Sequence, residues 1–257
     1  MPKRYWYTIV VYVLMQFSGA IGMPLLAFLF GYDVDFSGIE PFLQSLRELP
    51  GNQSTTLIVT WNLISFSVAL IVILLLLRPD MRDTSLKRDE ISLGKIVLWS
   101  VIGIFLSYSA QIVASLIELA LGIPQASANT QNLMNIAKSA PIFIIIITII
   151  APILEELIFR KIIFGSIYKR TNFFVGALIS SLIFAVVHQD LTHTLKYAAM
   201  GFVFAFLYVK TKRIIVPIIA HMAMNLIVVL IQFMISPEQL EQMEKQLENA
   251  QAIILGG

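Results

Sequence analysis

The amino-acid sequence predicts an all-α, polytopic integral membrane protein: a bundle of about seven transmembrane helices, with six to eight as the range. Two observations carry this prediction. Hydrophobic residues make up 58% of the 257 residues and charged residues only 13%, whereas soluble domains are about 45–50% apolar and about 25% charged. The apolar residues also collect in runs long enough to cross a hydrocarbon layer about 30 Å thick.

Seven apolar segments follow one another along the chain, and each is predicted to be one span. They are Trp6–Phe30, Leu57–Leu77, Ile96–Leu121, Pro141 to about Phe164, Phe173–Val187, Leu195–Val209 and Ile214–Ile235. The first is longer than the apolar core of a signal peptide, so we interpret it as a retained span. We expect one transmembrane domain over residues 1–257, a core at 141–235 that carries the polar motifs, and an amphipathic C-terminal tail at 237–257.

The distribution of basic residues predicts the orientation of these spans. Lys and Arg precede the first segment and follow the second, fourth and sixth, whereas the loops at 31–56 and 122–140 contain few of them. Because cytoplasmic loops carry the excess of Lys and Arg, we expect a multi-pass protein of the plasma membrane with a cytoplasmic N-terminus.

Charge and cysteine content exclude several classes of function. The formal net charge is only +2, so the basic surface that a nucleic-acid partner requires is missing. The chain contains no cysteine, which excludes disulfides, thiol catalysis and thiolate metal sites.

Polar side chains inside the apolar segments are concentrated in the second half of the chain. They are Glu155, Glu156 and Arg160 in the fourth segment, His188 at the end of the fifth, and His221 with Asn225 in the seventh. Each ionisable group inside a bilayer costs several kcal/mol, typically about 3. Such groups therefore indicate a functional site.

Helix geometry predicts which of these side chains meet. Glu156 and Arg160 are four residues apart, so they share a helix face and are predicted to form an ion pair. Glu155 points about 100° away around the same helix. A hairpin that turns near Thr171 would place Glu155 and His188 at the same height, each about 24–26 Å from the turn.

A carboxylate, two imidazoles and an amide inside a membrane are suited to hydrolysis with water as the nucleophile. A carboxylate can act as general base, and amide or imidazole N–H groups can stabilise an oxyanion. No Ser or Cys is placed with a base to form a covalent intermediate.

The three motifs, Glu-Glu-x-x-x-Arg at 155–160, Phe-x-x-x-His at 184–188 and His-x-x-x-Asn at 221–225, resemble those of the CAAX-protease and bacteriocin-processing family of intramembrane endopeptidases. This resemblance implies that Glu155 and His188 activate water, that Glu156 and Arg160 support the site, and that His221 and Asn225 stabilise the oxyanion. The short interval from His188 to His221 resembles the prokaryotic branch rather than the eukaryotic enzymes that act on prenylated proteins.

We predict no cofactor. Glu155, His188 and His221 do form a legitimate zinc ligand set, so zinc stays the alternative. The expected partners are a hydrophobic or lipid-associated peptide or protein substrate and membrane lipid.

Two other classes of function stay open at this point. One is a non-catalytic membrane scaffold or bacteriocin-immunity protein of the same fold, and the other is a transporter that relays protons. Outside the motifs, we interpret His193 as a solvated loop residue and Glu118 as an interfacial one.

Overall fold

The computed structural model describes residues 1–82 and 91–235, together with positions 239, 242, 245 and 246. All regular secondary structure in these ranges is helical, and the chain is an all-α membrane protein, as predicted. The main helices are α1 (Lys3–Phe17), α2 (Gly19–Leu29), α3 (Ile39–Glu48), α4 (Gly51–Arg82), α5 (Leu93–Ala120), α6 (Ala128–Ser139), α7 (residues 143–168), α8 (Phe173–Val187), α9 (Thr194–Thr211) and α10 (Ile215–Met234).

Each of the seven predicted segments corresponds to a helix or, for the first, to the pair α1–α2. Within the described ranges α4, α5 and α10 are long and apolar enough to cross a membrane, and α1–α2 together form a fourth candidate. The number of seven spans therefore stays a prediction. Helices α3 and α6 lie in segments predicted to be loops, and the predicted tail at 237–257 lies outside the described residues except for the four isolated positions.

Helix α7 combines α-helical and π-helical turns. Two π-helical stretches, Ile146–Ile150 and Glu156–Phe164, flank the short α-helical stretch Ala151–Glu155. Pro152 has no N–H to donate to the preceding turn, so it disturbs the regular α-helical hydrogen bonding at this point. π-Helical turns are rare and occur frequently at functional sites, and the second stretch begins at one of the predicted site residues.

The chain divides into two compact units, residues 1–83 with 135–154 and residues 84–134 with 155–257. The single domain over 1–257 stays a prediction. The predicted core at 141–235 contributes to both units, because residues 141–154 belong to the first.

In the first unit, the side chain of Trp61 fixes the bend between α1 and α2. These two helices meet at Ser18 with an angle of 49°, and the indole N–H of Trp61 donates to the Ser18 hydroxyl at 3.0 Å. A Cβ atom on Gly22 would lie only 2.0 Å from the Trp61 ring. Glycine at this position therefore allows α2 to approach α4 closely.

In the second unit, glycines allow close packing of α5 and α8–α10. A Cβ atom on Gly103 of α5 would lie 2.5 Å from Leu207 of α9 and 3.1 Å from Ala220 of α10. Small residues at helix contacts are typical of membrane bundles, where van der Waals packing drives association. This packing brings α7, α8 and α10 together around the polar residues of the candidate site.

Candidate active site

The structure brings five of the predicted site residues of α7, α8 and α10 into one cluster, and these residues differ in their exposure. The side chains of Glu156, Arg160 and His221 are almost completely buried. The side chain of Glu155 is 16% exposed, and His188 is half-buried. The buried residues can therefore set the geometry of the site, while Glu155 and His188 are partly exposed.

The His221 ring lies between the two carboxylates of α7. Its Nδ1 is 3.0 Å from Oε1 of Glu156, a distance at which the ring N–H donates to the carboxylate. Its Nε2 is 3.7 Å from Oε2 of Glu155, too far for a direct hydrogen bond. Glu156 thus orients the imidazole, and the second nitrogen of the ring faces Glu155.

Arg160 is a buried cation held by one carboxylate and three aromatic rings. Its Nε is 3.2 Å from Oε2 of Glu156, so the predicted ion pair is present. The guanidinium carbon lies 4.3 Å from the ring centre of Phe184, 5.2 Å from that of Phe204 and 5.9 Å from that of Phe159. The negative faces of aromatic rings attract a cation most strongly where water is excluded.

The space for the Arg160 guanidinium depends on Gly201 of α9. A Cβ atom at this position would lie 3.2 Å from Nη2 of Arg160 and 2.9 Å from Oγ of Ser181. The absence of a side chain there lets α9 approach the buried charge. Because Glu156 contacts both Arg160 and His221, this packing also fixes the imidazole.

His188 follows the last residue of α8, and its orientation is fixed at one nitrogen. Its Nδ1–H donates to the carbonyl oxygen of Phe184 at 2.8 Å, because a carbonyl can only accept. In the neutral ring the lone pair is then on Nε2. Glu155 interacts electrostatically with this imidazole, and the position of the two residues at equal height stays a prediction.

Tyr197 of α9 is a neighbour of His188 that the sequence analysis missed. The two rings stack with centroids 4.3 Å apart and an interplanar angle of 29°. The Tyr197 hydroxyl also accepts a hydrogen bond from the side-chain amide of Asn129 at 3.2 Å. Its position nine residues after the histidine, beyond a loop, gives no periodic signal that could have identified it.

Asn225 lies one helical turn after His221 on α10 and is half-buried. The adjacent Met224 accepts a hydrogen bond on its carbonyl oxygen from the hydroxyl of Tyr108, at 3.2 Å. This contact attaches α10 to α5 next to the predicted amide donor.

A second polar cluster in the same unit corrects two of the sequence interpretations. His193, interpreted as solvated, is buried, and Glu118, interpreted as interfacial, is 1% exposed. His193 Nδ1 lies 2.8 Å from Oε2 of Glu118, and Lys196 Nζ lies 3.2 Å from the same oxygen. The other ring nitrogen, Nε2, is 3.2 Å from the carbonyl oxygen of Ala126. The helix contact between α5 and α9 buries these groups, which the local sequence did not reveal.

The donor types at the site are suitable for zinc, but their arrangement does not match a metal site. Glu155 and the Nε2 atoms of His188 and His221 are suitable zinc donors, and Glu156 holds His221 in the way that carboxylates hold zinc-ligating histidines. In the part of the chain that the structure describes, however, no group of three His, Cys, Asp or Glu side chains is arranged to hold a metal ion. Independence from metal stays a prediction.

Comparisons with known proteins identify the same family that the three motifs resemble. The family model described as "Type II CAAX prenyl endopeptidase Rce1-like" matches residues 137–227, the stretch that contains every predicted site residue. The chain is 44% identical to the "Putative membrane peptidase YdiL" of Bacillus subtilis, with 100% of this chain and 99% of that protein covered.

More distant relatives extend the comparison. The "Membrane-embedded CAAX protease MroQ" of Staphylococcus aureus is 34% identical, over 93% of this chain and 92% of its own length. The "UPF0177 protein YxdF" of Lactococcus lactis is 30% identical, over 58% of this chain and 80% of its own length. No solved structure matches the chain.

Proposed function

The chain belongs to the Rce1-like family of membrane CAAX peptidases, in its prokaryotic branch, and we propose that it is an intramembrane endopeptidase that hydrolyses a peptide bond of a membrane-associated peptide or protein. One observation carries the proposal. A partly exposed carboxylate, Glu155, lies 3.7 Å from Nε2 of His221 and interacts electrostatically with the imidazole of His188 among apolar helices. An ionisable group inside a bilayer is energetically costly, so its presence there indicates a functional site.

In the proposed mechanism, Glu155 and His188 activate a water molecule. The Glu155 carboxylate takes a proton from the water, and Nε2 of His188 accepts a hydrogen bond that orients it. The water oxygen attacks the scissile carbonyl carbon. The protonated Glu155 then transfers its proton to the leaving amine as the C–N bond breaks.

His221 and Asn225 are the proposed donors to the tetrahedral oxyanion. The Asn225 amide can donate in its ordinary form. His221 already donates from Nδ1 to Glu156, so it can donate from Nε2 only with a proton on both nitrogens. Glu156 and Arg160 support the site, because they hold the His221 ring in place.

We propose that this mechanism needs no metal ion. The general base, the orienting imidazole and the oxyanion donors are all supplied by side chains of this chain. Purified protein with no more than trace zinc should therefore retain activity, and a chelator should leave the rate unchanged. Loss of activity on chelation, with recovery when zinc is restored, would instead assign Glu155, His188 and His221 as ligands.

The experiment that tests the proposed function compares peptide termini in membranes that contain the wild-type protein or Glu155→Gln. The two proteins must be matched for abundance. New termini that appear with wild type and are absent with the variant would identify both the activity and the substrate. Identical termini in the two membranes, with a phenotype that differs from a deletion strain, would instead favour a non-catalytic scaffold.

The proposed substrate is hydrophobic or lipid-associated, because the cluster lies among helices whose outer faces are apolar. Several exposed side chains of α8 are large and apolar, among them Phe174, Leu178 and Val186. A substrate that enters from the bilayer meets no polar barrier on this face. Candidate substrates should be lost from the cleavage pattern when their membrane-associated segment is removed.

We also propose a cytoplasmic N-terminus. Because the natural sequence has no cysteine, single introduced cysteines give an unambiguous test. Lys3→Cys and Lys169→Cys should react with a membrane-impermeant maleimide only after the cells are opened, whereas Gln125→Cys should react in intact cells. The reverse pattern would invert the topology.

A further inference from the structure

A basic cavity lies at one end of the second unit, away from the motif residues. It has a volume of about 350 Å³ and is lined by Ile91, Lys95, Trp99, Lys210, Thr211, Lys212 and Arg213. Three lysines and one arginine thus border the cavity, and none of its described lining residues is acidic. A concentration of positive charge around a cleft favours an anionic ligand.

Hydrogen bonds of Thr211 connect the residues of the turn that forms one wall of this cavity. The hydroxyl of buried Thr211 donates to the carbonyl oxygen of Leu207 at 2.7 Å and accepts the backbone N–H of Arg213 at 3.3 Å. Lys212, between them, has a φ of +53°, in the left-handed region. These hydrogen bonds support the connection between α9 and α10, whose basic residues Lys212 and Arg213 line the cavity.

Aromatic side chains lie directly beside the basic residues of the cavity. Lys95 and Trp99 share one face of α5, and Phe206 and Lys210 share one face of α9, since each pair is four residues apart. The Trp99 ring contacts Phe206 at 6.3 Å and lies 5.5 Å from Nζ of Lys210. The Phe206 side chain is 37% exposed. Lys95 and Lys210, near the ends of their helices, therefore lie beside a partly exposed aromatic surface.

From these features we propose that the cavity binds the phosphate-bearing headgroup of an anionic membrane phospholipid. Lysine and arginine side chains bind phosphate oxygens, and basic pockets between membrane helices bind anionic headgroups. The aromatic surface that Trp99 and Phe206 form would lie along the acyl chains. A soluble phosphate would use the cations but not this surface, so the ligand is taken from the bilayer.

The test measures lipid retention by the purified full-length protein in native mass spectrometry. The probes are phosphatidylglycerol, phosphatidylcholine, sn-glycerol 3-phosphate and inorganic phosphate. The variant is Lys95→Gln/Lys210→Gln. The control, Lys169→Gln/Arg170→Gln, removes the same charge from an exposed turn that does not line the cavity.

We expect wild type and the control to bind phosphatidylglycerol at least tenfold more tightly than phosphatidylcholine. The cavity variant should lose about 10- to 30-fold in affinity for phosphatidylglycerol, since each basic side chain near an anionic lipid contributes roughly a factor of five. Binding of phosphatidylcholine should not change. If the double variant does not fold, Lys95→Gln and Lys210→Gln are measured singly, each with a smaller loss.

Three results would overturn the proposal. An equal loss in the control would mean that only net charge matters. Equal retention of the two lipids would mean that the headgroup is not recognised. Displacement of phosphatidylglycerol by glycerol 3-phosphate or inorganic phosphate at similar concentration would mean that the ligand is a soluble anion. The outcome is independent of peptidase activity, because lipid retention is measured without a substrate.

Discussion

The second unit contains two polar clusters that combine a buried glutamate, a buried histidine and a cation. In one, Glu156 contacts His221 and Arg160, and in the other, Glu118 contacts His193 and Lys196. They differ in what surrounds this common core. The first has a second carboxylate and a second imidazole, Glu155 and His188, at its partly exposed edge.

The two clusters also differ in the use of the imidazole nitrogens. Both nitrogens of His193 lie at hydrogen-bonding distance from oxygen acceptors, those of Glu118 and Ala126. His221 is held through Nδ1 alone, and so is His188. A ring with both nitrogens occupied can stabilise a fold but cannot act as a base. This difference supports the proposed chemistry of the first cluster, and we expect the second cluster to have a structural role.

The strongest test of this assignment exchanges one glutamate for glutamine in each cluster. Glu155→Gln should lower the cleavage rate about 10³-fold, because a general base contributes roughly 10²–10⁴ to the rate, with little change in stability. Glu118→Gln should have the opposite profile: nearly normal cleavage per folded molecule but lower stability. Both are measured with purified protein in detergent. Equal loss of cleavage rate in the two variants would contradict the division of roles.

The next largest effect is expected from the buried ion pair. Glu156→Gln leaves Arg160 without its carboxylate and should lower the free energy of unfolding by about 3–5 kcal/mol. The double variant Glu156→Leu/Arg160→Met removes both charges and should recover much of this loss, although it stays inactive because His221 is no longer oriented. Unfolding in detergent, followed by circular dichroism, measures both. Failure of the double variant to recover stability would mean that the aromatic rings around Arg160, rather than the pair, dominate.

A smaller effect is expected from the residue that stacks on His188. Tyr197→Leu removes the flat ring beside the imidazole and should lower kcat about tenfold, since small misplacement of a catalytic group is costly. Tyr197→Phe keeps the ring and loses only the hydrogen bond from Asn129, so its kcat should stay within about threefold of wild type. The ratio of the two rates separates positioning by stacking from positioning by the hydroxyl. Equal kcat values in the two variants would exclude the stacking role.

The smallest effect is expected for the cation of the second cluster. The side chain of Lys196 is 17% exposed, so Lys196→Met loses only a partly screened interaction, about 1 kcal/mol of stability. Glu118 keeps His193 as its partner in this variant. Thermal unfolding measures the stability, and peptide cleavage should be unchanged. A loss as large as that of Glu118→Gln would show that Lys196, not His193, is the main partner of the carboxylate.

Much of the fold was predictable because it follows from local composition. Lipid-facing helices need long apolar runs, and the predicted segment Phe173–Val187 has the same bounds as α8. The amphipathic helix Ile39–Glu48 was missed, because membrane hydropathy selects apolar runs and overlooks short helices of mixed polarity. The π-helical turns of α7 were also missed, since they depend on hydrogen bonding around Pro152 and not on residue type alone.

The site was predictable only in part, because local spacing predicts contacts within a helix but not contacts between distant helices. Spacing along a helix predicted the ion pair of Glu156 with Arg160, which is present, whereas the equal height of Glu155 and His188 on a hairpin stays a prediction. The contact of His193 with Glu118 joins residues 75 positions apart, and it depends on how α5 packs against α9. Burial of a histidine in a short polar stretch cannot be inferred from that stretch.

The buried charges of α7 have a consequence for how the protein is made. On the scale of membrane insertion, each of Glu155, Glu156 and Arg160 costs about 2.5–3.5 kcal/mol at the centre of a helix. The isoleucines of the preceding turns each return only about 0.3–0.6 kcal/mol, so α7 alone partitions poorly from the translocon into lipid. Once synthesis has passed Val187, α8 can supply Phe184 and His188 as partners. We therefore expect α7 and α8 to enter the bilayer together as a hairpin, and a chain that ends before α8 to leave α7 at the membrane surface.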